Sequence, residues 1–138
     1  MAFQLGIRYF SRMIYKTLAL IGFGGMLGSM ARYLVSVYFT EHHPEAFPYG
    51  TFAVNVIGCL LIGVFYGLSD RHDWFTPEWR VFLTAGFCGG FTTFSTFAIE
   101  NLALLETSRY LVFGLYTAGS VIFGIMAVLL GMVLAKVV

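Results

Sequence analysis

The chain has 138 residues, of which 59% are hydrophobic and 11% charged, and its mean hydropathy is +0.82. An ordinary soluble domain carries roughly 25% charged residues and cannot hide this much apolar surface at this size, which excludes a water-soluble globule. A formal net charge of +1 leaves no electrostatic footprint for nucleic acid.

Arg8, Arg12 and Lys16 precede an apolar run, and Ser29-Met30-Ala31 has the form of a signal-peptidase site. The apolar pattern continues past Arg32 to Phe39, which favours a retained first span over about 17–39, with residues 1–12 as an extension ahead of a start at Met13. A second span follows over 50–68, a third over about 80–104, and a fourth, free of charge, over 110–135. At ~1.5 Å rise per residue these reach ~28–39 Å, against a hydrocarbon core of ~30 Å. The three prolines, Pro44, Pro48 and Pro77, fall in the short polar connections. The expectation is an all-α membrane protein with a single four-helix domain.

Gly24 with Gly28, Gly63 with Gly67, and Ser120 with Gly124 are each four apart, the small-xxx-small spacing that lets membrane helices approach closely. A dinucleotide loop is excluded: after Gly22 and Gly24 the third glycine would fall at Leu27, and no strand precedes it. Cys59 and Cys88 lie in apolar runs and read as small buried residues. His42, His43 and His72 lie in loops without HExxH spacing, and His42-His43 beside Glu45 reads as a solvated loop. No embedded His or carboxylate is placed to activate a Ser or Thr, so an enzyme is not expected.

Polar residues inside spans are costly and therefore informative. Arg32 lies about two-thirds along the first span, Thr51 and Asn55 share a face of the second, and Tyr116, Thr117 and Ser120 lie in the fourth. Glu100 reads as the end of the helix that carries GGFTTFSTF at 89–97. Singly, each has a plain explanation: Arg32 snorkels, Asn55 is interhelical glue, and Phe94 and Phe97 face core or lipid. The cluster is harder to dismiss. Gly89-Gly90 and the hydroxyls of Thr92, Thr93, Ser95 and Thr96 compete with helical hydrogen bonds. The third helix is thus expected to run to about Cys88, open for a few residues near its middle, and restart at about Phe94 with Thr93 as N-cap.

Irregular backbone at membrane depth survives only if buried in protein or facing a wet cavity or ion. Freed carbonyls suit a hard cation, and a half-helix N-terminus with hydroxyls suits an anion. With no acidic residue expected in the middle of any span, a carboxylate-based cation path is disfavoured. The positive ring edges of two phenylalanines, with an Asn amide and Ser or Thr hydroxyls, point to a path for a small anion.

GFCGGFTTFSTFAIE at 86–100, GTFAVNVIGC at 50–59 and GGMLGSMARY at 24–33 together resemble the Fluc (CrcB) family of fluoride channels. The likeness extends over essentially 13–137 in span number, spacing and loop size. It implies a multi-pass protein of the bacterial cell membrane that lets cytoplasmic fluoride leave down its gradient. It also implies an antiparallel, dual-topology homodimer with two pores and a structural sodium ion (Na+) at its centre. Carried across, Phe94 and Phe97 are the aromatics of the fluoride path and Asn55 the donor at its side. Ser95 and Thr96 share the hydroxyl-bearing turn, and Thr51 lies one turn from Asn55. Gly89 and Thr92 supply sodium-coordinating carbonyls, Arg32 lines a vestibule, and Tyr116 and Ser120 begin a polar row on the fourth helix. That row departs from the family pattern at Gly124 and Val128, where hydroxyls are common.

Two other readings compete: a small four-helix proton-coupled multidrug-type antiporter, which expects an embedded carboxylate, and a non-conducting assembly subunit, which has no use for the helix opening. Charge is in tension with dual insertion. With the N-terminus inside, Arg8, Arg12, Lys16, Arg71, Arg80 and Lys136 lie on or near one side, against Arg109 on the other.

Overall fold

Long apolar runs in a chain that must satisfy its own backbone hydrogen bonds form helices, and among the described residues every regular element is helical. The computed structural model describes residues 2–42 and 47–137, with side chains described from Met13 onward in the first helix. Helix α1 spans Ala2–His42, α2 spans Tyr49–Ser69 and α6 spans Tyr110–Leu134. Between α2 and α6 the third span is composite. It runs from α3 (Pro77–Val81) through a π-helical stretch, Phe82–Cys88, to α4 (Gly89–Phe91) and then α5 (Phe94–Glu106).

Four helical segments are long and apolar enough to cross a membrane: Met13–His42, Tyr49–Ser69, Pro77–Glu106 and Tyr110–Leu134. The protein is a multi-pass membrane protein. The segments differ from the sequence expectation mainly at their ends. Pro77 starts the third helix, because proline suits a first turn whose N–H groups need no intrahelical partner. The same span continues to Glu106, and Ser108 (φ 57°) adopts the left-handed backbone that turns the chain into α6. The α1 backbone is helical from Ala2, so residues 2–12 run into the first span as one helix, while the side chains of Arg8 and Arg12 lie outside the described part. The His42-His43-Glu45 cluster also falls largely outside it, at 43–46.

The interior is built from close backbone approaches rather than bulky side chains. A Cβ added at Gly24 would lie 2.5 Å from the Phe82 carbonyl oxygen, and one at Gly28 would overlap the Phe87 carbonyl. Gly90 meets the Gly25 backbone in the same way, so α1 lies flush against the π-helical stretch and α4. On the other side, Gly63 faces the Val128 carbonyl, Gly131 faces that of Leu60, and Gly67 abuts the Ala135 methyl, which joins α2 to α6. The expected Ser120/Gly124 pair makes no such approach. A Cβ at Gly124 would sit 3.5 Å from the Cys59 sulfur, an ordinary contact, and Gly131 serves the seam instead. Helix α2 touches every other helical element. Large apolar side chains point outward, with Leu111, Leu115, Ile125 and Leu129 of α6 all more than half exposed.

These approaches predict opposite outcomes for chemically identical changes. Gly28→Ala and Gly63→Ala should destabilise the purified protein by about 1–3 kcal/mol or more, because backbone cannot yield. Gly22→Ala and Gly114→Ala, where an added Cβ meets nothing within 4 Å, should leave it unchanged or gain up to ~1 kcal/mol. Thermal unfolding in detergent reads both, and an equal fall at all four positions would overturn the account.

Candidate functional site

Between Val81 and Phe94 the third span changes its winding repeatedly, from α to π, back to α, then to extended backbone before α resumes. After the π-helical stretch, α4 completes barely a turn, and then Thr92 (φ −78°, ψ 158°) and Thr93 (φ −150°, ψ 120°) take extended backbone. The span bends there and resumes as α5 at Phe94. Helical winding thus persists to Phe91 rather than stopping near Cys88, with Gly86 of the π-helical stretch packed closely on the α1 backbone. Cys88 O closes the upstream half by accepting both the Thr92 N–H and the Thr92 hydroxyl, each at 2.9 Å. Thr93 opens the downstream half as N-cap: its Oγ1 accepts the Thr96 N–H at 3.3 Å and its hydroxyl donates to Thr96 Oγ1 at 3.0 Å.

Between the two halves the Thr93 N–H has no helical acceptor; Asn55 supplies one and reaches the Thr93 carbonyl as well. The Thr93 N–H donates to Asn55 Oδ1 at 2.9 Å, and Asn55 Nδ2 donates to Thr93 O at 3.2 Å. One side-chain amide therefore mimics a neighbouring peptide and fixes the residue immediately before Phe94. A similar service is given to Gly90 O, which accepts from the Ser29 hydroxyl at 3.3 Å and from Arg32 Nε at 3.2 Å.

Polar groups lie on two sides of this bend. On one side a cleft of about 390 Å³ brings together Asn55, Gly89, Thr92, Phe94, Phe97 and Ser120. The Phe94 and Phe97 ring centroids are 5.8 Å apart, and Phe94 is 80% exposed. Ser120 Oγ in this cleft is buried without a hydrogen-bond partner. On the other side, Arg32, Ser36, Thr51, Thr93 and Thr96 line a cleft of about 290 Å³. Ser36, Thr51 and Thr96 also border a third, of about 450 Å³, which reaches Glu100. Thr93 belongs to both of the first two, so the bend itself is the wall between them.

Glu100 is the chief correction to the sequence expectation. It does not end the helix but sits in the middle of α5, half-buried, with Thr51 Oγ1 donating to Oε1 at 2.7 Å and Tyr116 OH to Oε2 at 2.7 Å. An acidic side chain therefore does lie inside a span, tied to α2 and α6 at once. The signal was present: Thr93, Thr96 and Glu100 follow the i, i+3, i+7 stripe of one helix face. Tyr116 is fully buried with its ring 5.1 Å from Phe97 and 5.4 Å from Phe47, so it meets the clefts through Glu100 and Phe97. Ser95 is exposed and lines none of these three clefts, although its Oγ is 3.3 Å from Thr93 Oγ1. Beyond Ser120, Gly124 is buried over Cys59 and Val128 presents its backbone to Gly63, so both positions serve the α2–α6 seam.

Residues 19–132 match the family model described as CrcB-like protein, Camphor Resistance (CrcB). The chain belongs to the CrcB family. Among its relatives, the fluoride-specific ion channel FluC of Flavobacterium psychrophilum is 43% identical over 121 residues, covering 88% of this chain and 98% of the relative. The FluC of Phocaeicola vulgatus is 50% identical over 116 residues (84% and 95%), and that of Leptospira interrogans 46% over 110 (80% and 87%). These CrcB relatives are named as ion channels, not as enzymes.

The Asn55 bracket makes a local prediction. Asn55→Leu leaves the Thr93 N–H unpartnered, so amide exchange at Thr93 should accelerate by roughly tenfold or more while α2 and α6 stay protected. Unchanged exchange at Thr93 would mean that the amide does not hold the bend.

Proposed function

We propose that the protein is a fluoride channel, a passive path by which cytoplasmic fluoride leaves down its electrochemical gradient. The observation that carries this reading is the Phe94–Phe97 pair beside the partnerless Ser120 hydroxyl, in a chain 40–50% identical to proteins named fluoride-specific ion channels. Phenylalanine ring edges carry partial positive charge, so the pair offers a small anion an electropositive rim without strongly hydrated competitors. Ser120 and the second Asn55 N–H add donors at the same cleft. Arg32, Thr51 and Thr96 form the polar approach on the other side of the bend, where Arg32 draws anions inward. Glu100, joined to Thr51 and Tyr116, holds that approach in shape, and Ser95 completes the hydroxyl-bearing turn.

The working unit on this reading is an antiparallel homodimer with two pores. Exposed Phe94 and the Thr92 carbonyl, which extended backbone turns out of the helical ladder, would otherwise meet lipid, where an unpaired peptide group costs several kcal/mol. A second copy related by a two-fold axis covers them. The same axis suits a structural sodium ion. Gly89 is exposed at the cleft with its nearest obstacle to an added Cβ at 3.9 Å, and Thr92 ψ of 158° turns its carbonyl away from the helical ladder. Backbone oxygens of Gly89 and Thr92 from both subunits are hard donors of the kind sodium takes, and the ion would pin the two bends together without moving.

The antiporter reading gains one observation, the embedded Glu100, but both carboxylate oxygens are already engaged by Thr51 and Tyr116. Proteoliposomes separate the two. The wild type should release fluoride but not chloride, with no need for a pH gradient, and Phe94→Ile with Phe97→Ile should abolish release while the dimer stays intact. Equal fluoride and chloride release, or release only with a pH gradient, would remove the channel reading. Orientation has its own test: a cysteine placed at Asp73 should be labelled from both sides of the membrane, and labelling from one side only would sink dual topology.

A further inference from the structure

Asn101 has no place in the pathway just described, yet it is the more completely buried of the two polar side chains on its stretch of α5, at 8% exposure. A buried amide in a membrane helix is unfavourable unless both ends are bonded, and Asn is a poor helix former besides. Both ends are bonded here. Nδ2 donates to Phe97 O at 2.8 Å, one turn back along the same helix, and Oδ1 accepts the Thr117 hydroxyl at 2.7 Å from α6. The neighbouring link is Glu100 to Tyr116, so consecutive residues on α5 clasp consecutive residues on α6. Neighbours on a helix point about 100° apart. Two bonds at that angle fix the rotation of α5 as well as its distance from α6, which a single bond does not.

The residue whose carbonyl Asn101 grips is Phe97, and the Phe97 ring rests between Tyr116 at 5.1 Å and Phe94 at 5.8 Å. We propose that Asn101 is a positioning residue: held by Thr117, it sets the rotation of α5 on α6 and thereby aims the Phe97 ring into the cleft. It lines none of the three clefts described. The consequence for transport rests on the fluoride-channel reading, whereas the consequence for the ring does not.

The test uses full-length protein carrying a fluorinated phenylalanine at position 97, read by fluorine NMR, alongside fluoride release from liposomes. Thr117→Val keeps the shape and deletes the donor, Thr117→Ser keeps the donor and deletes the methyl, and Asn101→Leu removes the amide. The valine and leucine variants should slow fluoride release about tenfold, the effect of losing one bond to a buried group, and should shift or split the residue-97 resonance. The serine variant should recover most of the rate and a resonance close to the parent position. An unmoved resonance in Thr117→Val overturns the proposal whatever the flux, as does equal damage in the valine and serine variants. If the parent protein releases no fluoride, the channel reading fails, and the resonance shift alone still decides the role of Asn101.

Discussion

In a hydrocarbon environment no water waits to satisfy a peptide group that leaves a helix. Everything distinctive here depends on how one such departure, at Thr92 and Thr93, is reconciled with that constraint. Asn55 is the answer: a side-chain amide placed as a substitute peptide, bonded at both ends to Thr93. It allows the third span to bend inside the protein, and the bend gives Phe94 and Phe97 an orientation that a continuous helix would deny them. Ser29 and Arg32 perform the corresponding duty at Gly90.

Such a bend also requires its neighbours to be near, and glycine supplies the nearness. Gly24, Gly28 and Gly90 bring α1 to the upstream half of the span with no side chain intervening. Only at that separation do Ser29 and Arg32 reach the Gly90 carbonyl. On the far side, the α2–α6 seam at Gly63, Gly67 and Gly131 carries Asn55 and Tyr116 on opposite partners of one tightly joined pair. The glycine spacing and the polar side chains are thus one device: small residues set the distance at which a few hydrogen bonds can act across helices.

Much of this was legible in the sequence, for reasons that differ by residue. The four spans follow from hydropathy, because lipid demands long apolar helices. Gly24 with Gly28 and Gly63 with Gly67 follow from spacing, and Thr93 as a cap follows from the competition between hydroxyl and backbone. Glu100 reads in sequence as the end of the helix because a carboxylate at depth is costly, whereas the helix continues to Glu106 and partners the carboxylate from α2 and α6. The Asn101–Thr117 bond depends on the rotation of α5 against α6, and in helices apolar on every side periodicity does not report rotation. The π-helical stretch at Phe82–Cys88 was not anticipated, since no residue pattern in FLTAGFC distinguishes it from an ordinary helix. Likewise Ser120 with Gly124 has the right spacing for a seam that the structure makes at Gly131 instead.

The junction at Glu100 has a consequence for biosynthesis. Its three members, Thr51, Glu100 and Tyr116, belong to three different spans, and the last of them is also the last to leave the ribosome. Helices inserted one at a time can associate only when their partners exist. Until α6 arrives, the Glu100 carboxylate lacks one donor and the glycine face of α2 lacks its cover. The span carrying Tyr116 therefore completes a polar junction that the two earlier spans can only begin.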